Sequence, residues 1–235
     1  MKNEKPMIFN PEMVRSTLGG IKRQTRRLNN LDEVNEEKDR YAFDGVQEVN
    51  GVLCAHFTDL KTNNSVFIKS PYGNIEDQIW VRENFKVLGV HQGYQNPHVC
   101  DDFVVPHAGV KYEDGTEETY ELVTDTEMKI DEVAQALRGE KKKTVPSIHM
   151  PRWASRIQLK ILDLRIERLN DISEEDAKAE GVKAFDLAFD PDLSNAHRID
   201  MGGVKSYRLG FKNIWRTIHG PNAWRENPWV WPGGS

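Results

Sequence analysis

A pair of glycines, Gly19-Gly20, separates a predicted short helix from a dense run of cationic side chains, and this break constrains the fold more than any other feature. Upstream, Pro11 to Leu18 has proline in its first turn, apolar Met13, Val14 and Leu18, and the glycines as a stop. Downstream runs Ile21-Lys22-Arg23-Gln24-Thr25-Arg26-Arg27. A sharp turn at Gly20 predicts Lys22 and Thr25 on one side of the next turn, within reach of each other. A lysine beside a hydroxyl can serve as a base beside a nucleophile when both sit in a pocket. The same spacing also suits a solvated basic turn.

The chain has 235 residues, enough for one large domain or two small ones. Charged residues make up 29% and the net charge is −5, so no broad basic face is expected and duplex DNA is not a predicted partner. A small ligand or a short single-stranded segment fits that balance. No apolar run approaches the roughly 20 residues of a membrane span, and no secretory signal is visible at the start. Cys54 and Cys100 lack C-x-x-C spacing and read as free thiols, which predicts a cytoplasmic setting.

Met7-Ile8-Phe9 reads as a short strand entering the first helix, and residues 28–48, polar and charged, read as a loop. Val52–Phe57 and Val66–Lys69 flank Thr62-Asn63-Asn64-Ser65 as a hairpin. Gln78 to Phe85 reads as a strand with Ile79, Val81 and Glu83 on one face, making Glu83 either a pocket carboxylate or a half-exposed residue paired with an arginine. Residues 86–145 look like an insertion with irregular hairpins and a helix over Thr126 to Arg138. Within it, His91, His98, Cys100 and His107 are zinc-competent. Their spacing matches no common structural-zinc pattern, and neither a metal nor another cofactor is expected.

Beyond the insertion, Pro146 to Arg156 places Arg152, Trp153 and Arg156 between and after prolines. A tryptophan flanked by arginines suits stacking on a base, and equally suits a buried ring with snorkelling arginines. Ile157 to Leu164 alternates as a strand. Ser173 is the N-cap of a helix whose first turn is acidic, with Asp176 completing a capping box and Gly181 as the stop. Glu180 lies in the last turn, where the helix dipole disfavours it, and is either exposed to solvent or held opposite a cation such as Lys22. Val204 to Ile218 has Tyr207, Phe211, Ile214, Trp215 and Ile218 at helical spacing, a core-packing face. Asn227 to Trp231 reads as a last strand stopped at Pro232, ahead of a linker-like Gly-Gly-Ser.

Taken together, Gly20 to Arg27, Pro71-Tyr72-Gly73 with Trp80-Val81-Arg82-Glu83, Ser147 to Arg156, Ile172 to Gly181 and Asn227 to Trp231 resemble ASCH-domain proteins of the PUA-like superfamily. The similarity is to the larger versions found in phages and prophages, and it leaves residues 86–145 and 183–203 unexplained. It implies an α+β fold: one domain over residues 1–235, a partly closed β-barrel with flanking helices, and a large insertion at about 86–145.

The resemblance also implies an activity. The small bacterial enzymes of the family are amidohydrolases that deacetylate N4-acetylcytidine with a lysine, a threonine and a glutamate. Local matching makes these Lys22, Thr25 and Glu180, with Glu83 as the reserve carboxylate. Thr25 would attack the amide carbonyl, Lys22 would take its proton, and Glu180 would position the lysine or protonate the leaving amine. Arg26 and Arg27, beside the lysine, would bind substrate, Arg27 or backbone amides would stabilise the oxyanion, and Trp153 or Trp229 would stack on the base, with Arg152 and Arg156 beside it. The expected partner is a modified nucleoside or single-stranded RNA, in the host cytoplasm if phage-encoded. A non-catalytic base-binding module and a ribonuclease are the rival readings.

Overall fold

The structure, a computed structural model, describes residues 3–92, 106–121, 144–190, 192–194, 197 and 203–234. The fold is mixed α+β, with many short strands and few helices. Among the described residues the strands form separate small sheets, and none closes into a barrel. The chain divides into two compact units. The first comprises Met1–Lys5, Ser16–Ile79 and Leu159–Ser235, and the second comprises Pro6–Arg15 and Trp80–Gln158.

At the centre of the first unit is the strand Trp229–Gly234, in which Val230 and Trp231 are both fully buried. It pairs antiparallel with Gln24–Arg27, with Gly233 opposite Thr25 and Pro232 opposite Arg26, and also with Asp163–Leu164 and Glu167–Arg168. The expected stop at Pro232 is therefore overturned. Proline supplies no N–H to a ladder, but its carbonyl accepts from the backbone N–H of Arg165 at 3.3 Å, so pairing continues through Gly234. Gly233 lies where a Cβ would stand 3.2 Å from the Tyr72 ring. The buried Tyr72 hydroxyl lies within hydrogen-bonding distance of the carbonyls of Thr25 (3.0 Å) and Trp231 (2.9 Å), tying the two strands together.

Residues 28–48 are not a loop. Leu31, at the N-cap of a short helix, Asp32–Glu36, and Val34 within it are fully buried, and Tyr41–Val49 is the first strand of a meander with Val52–Asp59 and Ser65–Lys69. The turn between the first two strands is Asn50-Gly51, both with positive φ (52° and 77°), the two-residue connection whose twist matches paired strands. Phe43 and Phe57 meet Trp229 at 6.1 and 5.4 Å between ring centroids.

The helix Tyr207–His219 carries Phe211 and Trp215 against Leu169, Ile172, Ala177 and Val182. Ile214 and Ile218, expected in that core, are exposed; the buried stripe runs through Leu209, Phe211 and Trp215 instead. The same helix buries Lys212, whose ammonium sits 2.7 Å from Asp190 and 2.6 Å from Asp192. Hydrogen bonds from Lys212 and then Arg225 hold the Asp192 carboxyl down at about 2. This folded value lies below the unfolded value of about 3.9, so the stabilisation is complete above that pH and is lost as pH falls through about 2. Urea unfolding as a function of pH should therefore show a smaller acid loss of stability between about pH 4 and pH 2 in Asp192→Asn than in the parent chain.

In the second unit, Phe85–Gln92, Pro106–Tyr112 and Glu117–Glu121 form an antiparallel meander turning at Asp114-Gly115. Phe85, Val110 and Tyr112 pack with Met150 and Ala154 from the proline-bracketed segment, which forms two turns of 3₁₀-helix, Ser147–His149 and Arg152–Ala154. The helix expected over Thr126 to Arg138 lies outside the described residues, as do His98, Cys100 and the side chains of His91 and His107. Among the described residues no helix is long and apolar enough to cross a membrane.

Candidate active site

The helix Glu174–Ala179 begins at Ser173, whose hydroxyl accepts from the Asp176 N–H at 3.0 Å. It ends at Gly181, which is left-handed at φ 82°. A Cβ on Gly181 would lie 2.9 Å from the Cβ atoms of both Lys22 and Ser16. Glycine is thus required twice here, by conformation and by space, and its absent side chain lets the Lys22 segment lie against the helix end. The Arg23 N–H donates to the Ala179 carbonyl at 2.7 Å, and the Lys22 N–H donates to the Ser16 carbonyl at 3.0 Å.

This docking brings Lys22 to Glu180, across 158 positions of sequence. The Lys22 ammonium donates to Glu180 Oε2 at 2.9 Å, the Glu180 carbonyl at 3.0 Å and the Gln24 carbonyl at 2.7 Å. Three acceptors match the three protons of an ammonium. Arg26 secures the other carboxylate oxygen, donating from Nη1 to Glu180 Oε1 at 3.0 Å. Its Nε reaches Glu167 at 2.8 Å and its Nη2 reaches Asp176 at 3.2 Å. Arg165 bridges the same pair, 3.2 Å from Glu167 and 2.6 Å from Asp176. Three cations, Lys22, Arg26 and Arg165, thus face three carboxylates, Glu167, Asp176 and Glu180. Burial raises the Asp176 carboxyl, but the Gln24 amide and the charges of Arg165 and Arg26 outweigh it and hold the group below its ordinary value.

Thr25 is also buried, but the segment is a strand and not the turn expected from spacing. Neighbouring side chains on a strand point to opposite faces, so Thr25 projects away from the Arg26 side, toward the face of its partner Gly233 and the Tyr72 ring. Arg27 shares that face, and its charge acts on Tyr72 and on His219. The His219 imidazole is pushed below its usual value, by burial first and Arg27 second.

The remaining expected site residues fall elsewhere. Glu83 belongs to the second unit, where the Arg156 guanidinium grips its carboxylate at 2.8 and 2.9 Å and also reaches Asp114 at 2.8 Å. Arg156 lies 3.9 Å over the Tyr112 ring, Trp153 meets Tyr120 edge-on at 6.2 Å, and Arg152 lies 5.9 Å over Trp80. Trp229 packs in the first unit's aromatic cluster, and its backbone N–H and carbonyl are both bound by the Asn35 amide, at 2.7 and 3.0 Å. Arg165, Glu167 and Gln24 were missed from sequence. Their signal was present for the first two, because Leu164 and Ile166 are buried and the charged residues alternate with them.

No family model, curated protein or solved structure matches this chain.

Proposed function

We propose that the protein is an ASCH-type member of the PUA-like superfamily acting as a metal-independent amidohydrolase on a modified nucleoside such as N4-acetylcytidine. The observation that carries this reading is the buried contact between Lys22 and Glu180 at 2.9 Å, since these are the lysine and glutamate that the resemblance pairs. Thr25, the third member, lies in the adjoining strand. Its hydroxyl would attack the amide carbonyl and the lysine would receive its proton; the C–N bond would break as the leaving amine is protonated, and water would then release acetate from the acyl-threonine. Lys22 must first surrender one of its three protons, and the Glu180 carboxylate is the acceptor already in contact.

A second reading is favoured by two specific features: the saturated Lys22 ammonium, and a Thr25 side chain directed to the other face of its strand. Both suit a module that recognises a base without acting on it. Incubation with N4-acetylcytidine, with cytidine and acetate followed by chromatography, separates the two. The hydrolase reading predicts that Thr25→Ala and Lys22→Ala each lower turnover by about 100-fold or more, with Thr25→Ala still binding the nucleoside. Binding without turnover in the parent chain would establish the recognition module instead.

A further inference from the structure

A second cluster of reactive side chains lies on the solvent face of the meander Tyr41–Val49, Val52–Asp59 and Ser65–Lys69, independent of the Lys22 network. Ala55 and Phe57 are fully buried on its inner face, so His56 and Thr58 point outward, as do their cross-strand partners Phe67 and Ser65. The Ser65 hydroxyl lies 2.9 Å from His56 Nε2, and the Asp44 carboxylate lies 3.7 Å from His56 Nδ1. Asp44 reaches this position through a bulge. Phe43 pairs with Phe57 and Gly45 with His56, which makes Asp44 the extra residue of its strand and aims its side chain across at the histidine. Thr58 then fixes the carboxylate with a hydrogen bond of 2.7 Å. The Phe67 ring lies parallel to the imidazole at 4.6 Å and is 45% exposed, an apolar shelf beside the serine.

We propose that Ser65, His56 and Asp44 form an acyl-transfer site for activated carboxylic esters, aryl esters in particular. With the imidazole proton on Nδ1 toward Asp44, Nε2 accepts the Ser65 proton as Oγ bonds to the ester carbonyl carbon. Collapse of the tetrahedral adduct breaks the bond to the aryl oxygen and leaves an acyl-serine. The imidazolium returns its proton to the phenolate, and water, deprotonated by His56, then releases the carboxylic acid and frees Ser65. Asp44 acts through the imidazole as a positioning residue, and its contact shortens when the ring becomes charged. An aryl leaving group suits an open sheet face, because it departs with little assistance and its ring can lie on Phe67.

The test is a stopped-flow trace of phenolate release from p-nitrophenyl acetate, with peptide mass mapping of the acetylated product. A stoichiometric burst with acetyl on Ser65 is expected. It should be absent in Ser65→Ala and slowed about 100-fold in His56→Gln. Asp44→Asn should slow acylation without changing the burst size, and Asp44→Glu should restore part of the rate. All these side chains lie on the outer face, so thermal melts of the variants should match the parent. No burst, a burst retained in Ser65→Ala, or acetyl confined to Lys61, Lys69 or other amines would overturn the proposal.

Discussion

Arg26→Ala is expected to lower the unfolding free energy by about 3–5 kcal/mol, the range for removing one partner of a buried ion pair. The Arg26 side chain has no exposure, and it serves Glu167, Asp176 and Glu180 at once. Its removal leaves Glu180 Oε1 without its cation in a site where Glu180 is only 5% exposed. Arg165 remains as a counter-charge for Glu167 and Asp176, so the loss concentrates on Glu180. Arg26→Lys should recover only part of the stability, because an ammonium cannot span three carboxylates as a planar fork does. Urea unfolding at neutral pH, with an unchanged slope against denaturant, measures both variants. A loss below about 1 kcal/mol, the range of exposed pairs, would mean that water shares the network and that the carboxylates are not dry. The result also bears on function, since Arg26 was expected to touch substrate. The geometry makes it the residue that orients Glu180.

How far the sequence led depended on whether the deciding interaction was local. The acidic helix was legible because its cap and stop, Ser173 and Gly181, lie within one short segment. The pairing of Lys22 with Glu180 was one of two outcomes for a carboxylate in a helix's last turn, exposure or a facing cation, and the resemblance pointed to the second. Thr25 was misplaced because spacing of three residues implies one face only on a helix. Gln24–Arg27 is instead drawn into a strand by its partner Trp229–Gly234, about 200 residues away, a distance that no local pattern reports. The loop expected over residues 28–48 hid a strand whose turn was legible after all: Asn50-Gly51 is a two-residue hairpin signal, obscured by the charged residues before it. Glu83 shows the opposite case. Its arginine partner was foreseen, but the half-exposure expected with that pairing was not found: Glu83 is buried against Arg156.

Gly210→Ala should destabilise the first unit by about 3 kcal/mol or more, at or beyond the upper end of ordinary overpacking. Helix propensity alone predicts the reverse sign, a gain of about 1 kcal/mol for replacing an interior glycine by alanine. Space decides the matter. Gly210 lies inside the helix Tyr207–His219, and a Cβ there would overlap the carbonyl oxygen of Lys183 and touch Val182 at 3.5 Å. The obstacle is backbone, which cannot rotate away as a side-chain tip can. Relief requires either moving the helix, which carries Phe211 and Trp215 into the core, or moving the segment that follows Gly181. Movement of that segment would pull on the end of the acidic helix and on the Lys22–Glu180 contact, so any turnover should fall together with stability. Asn213→Ala, on the same helix but at a half-buried position, is the control and should change stability by no more than about 0.5 kcal/mol. A stabilised Gly210→Ala would show that residues 182–183 yield without loss, and that this helix is not what holds Glu180 in place.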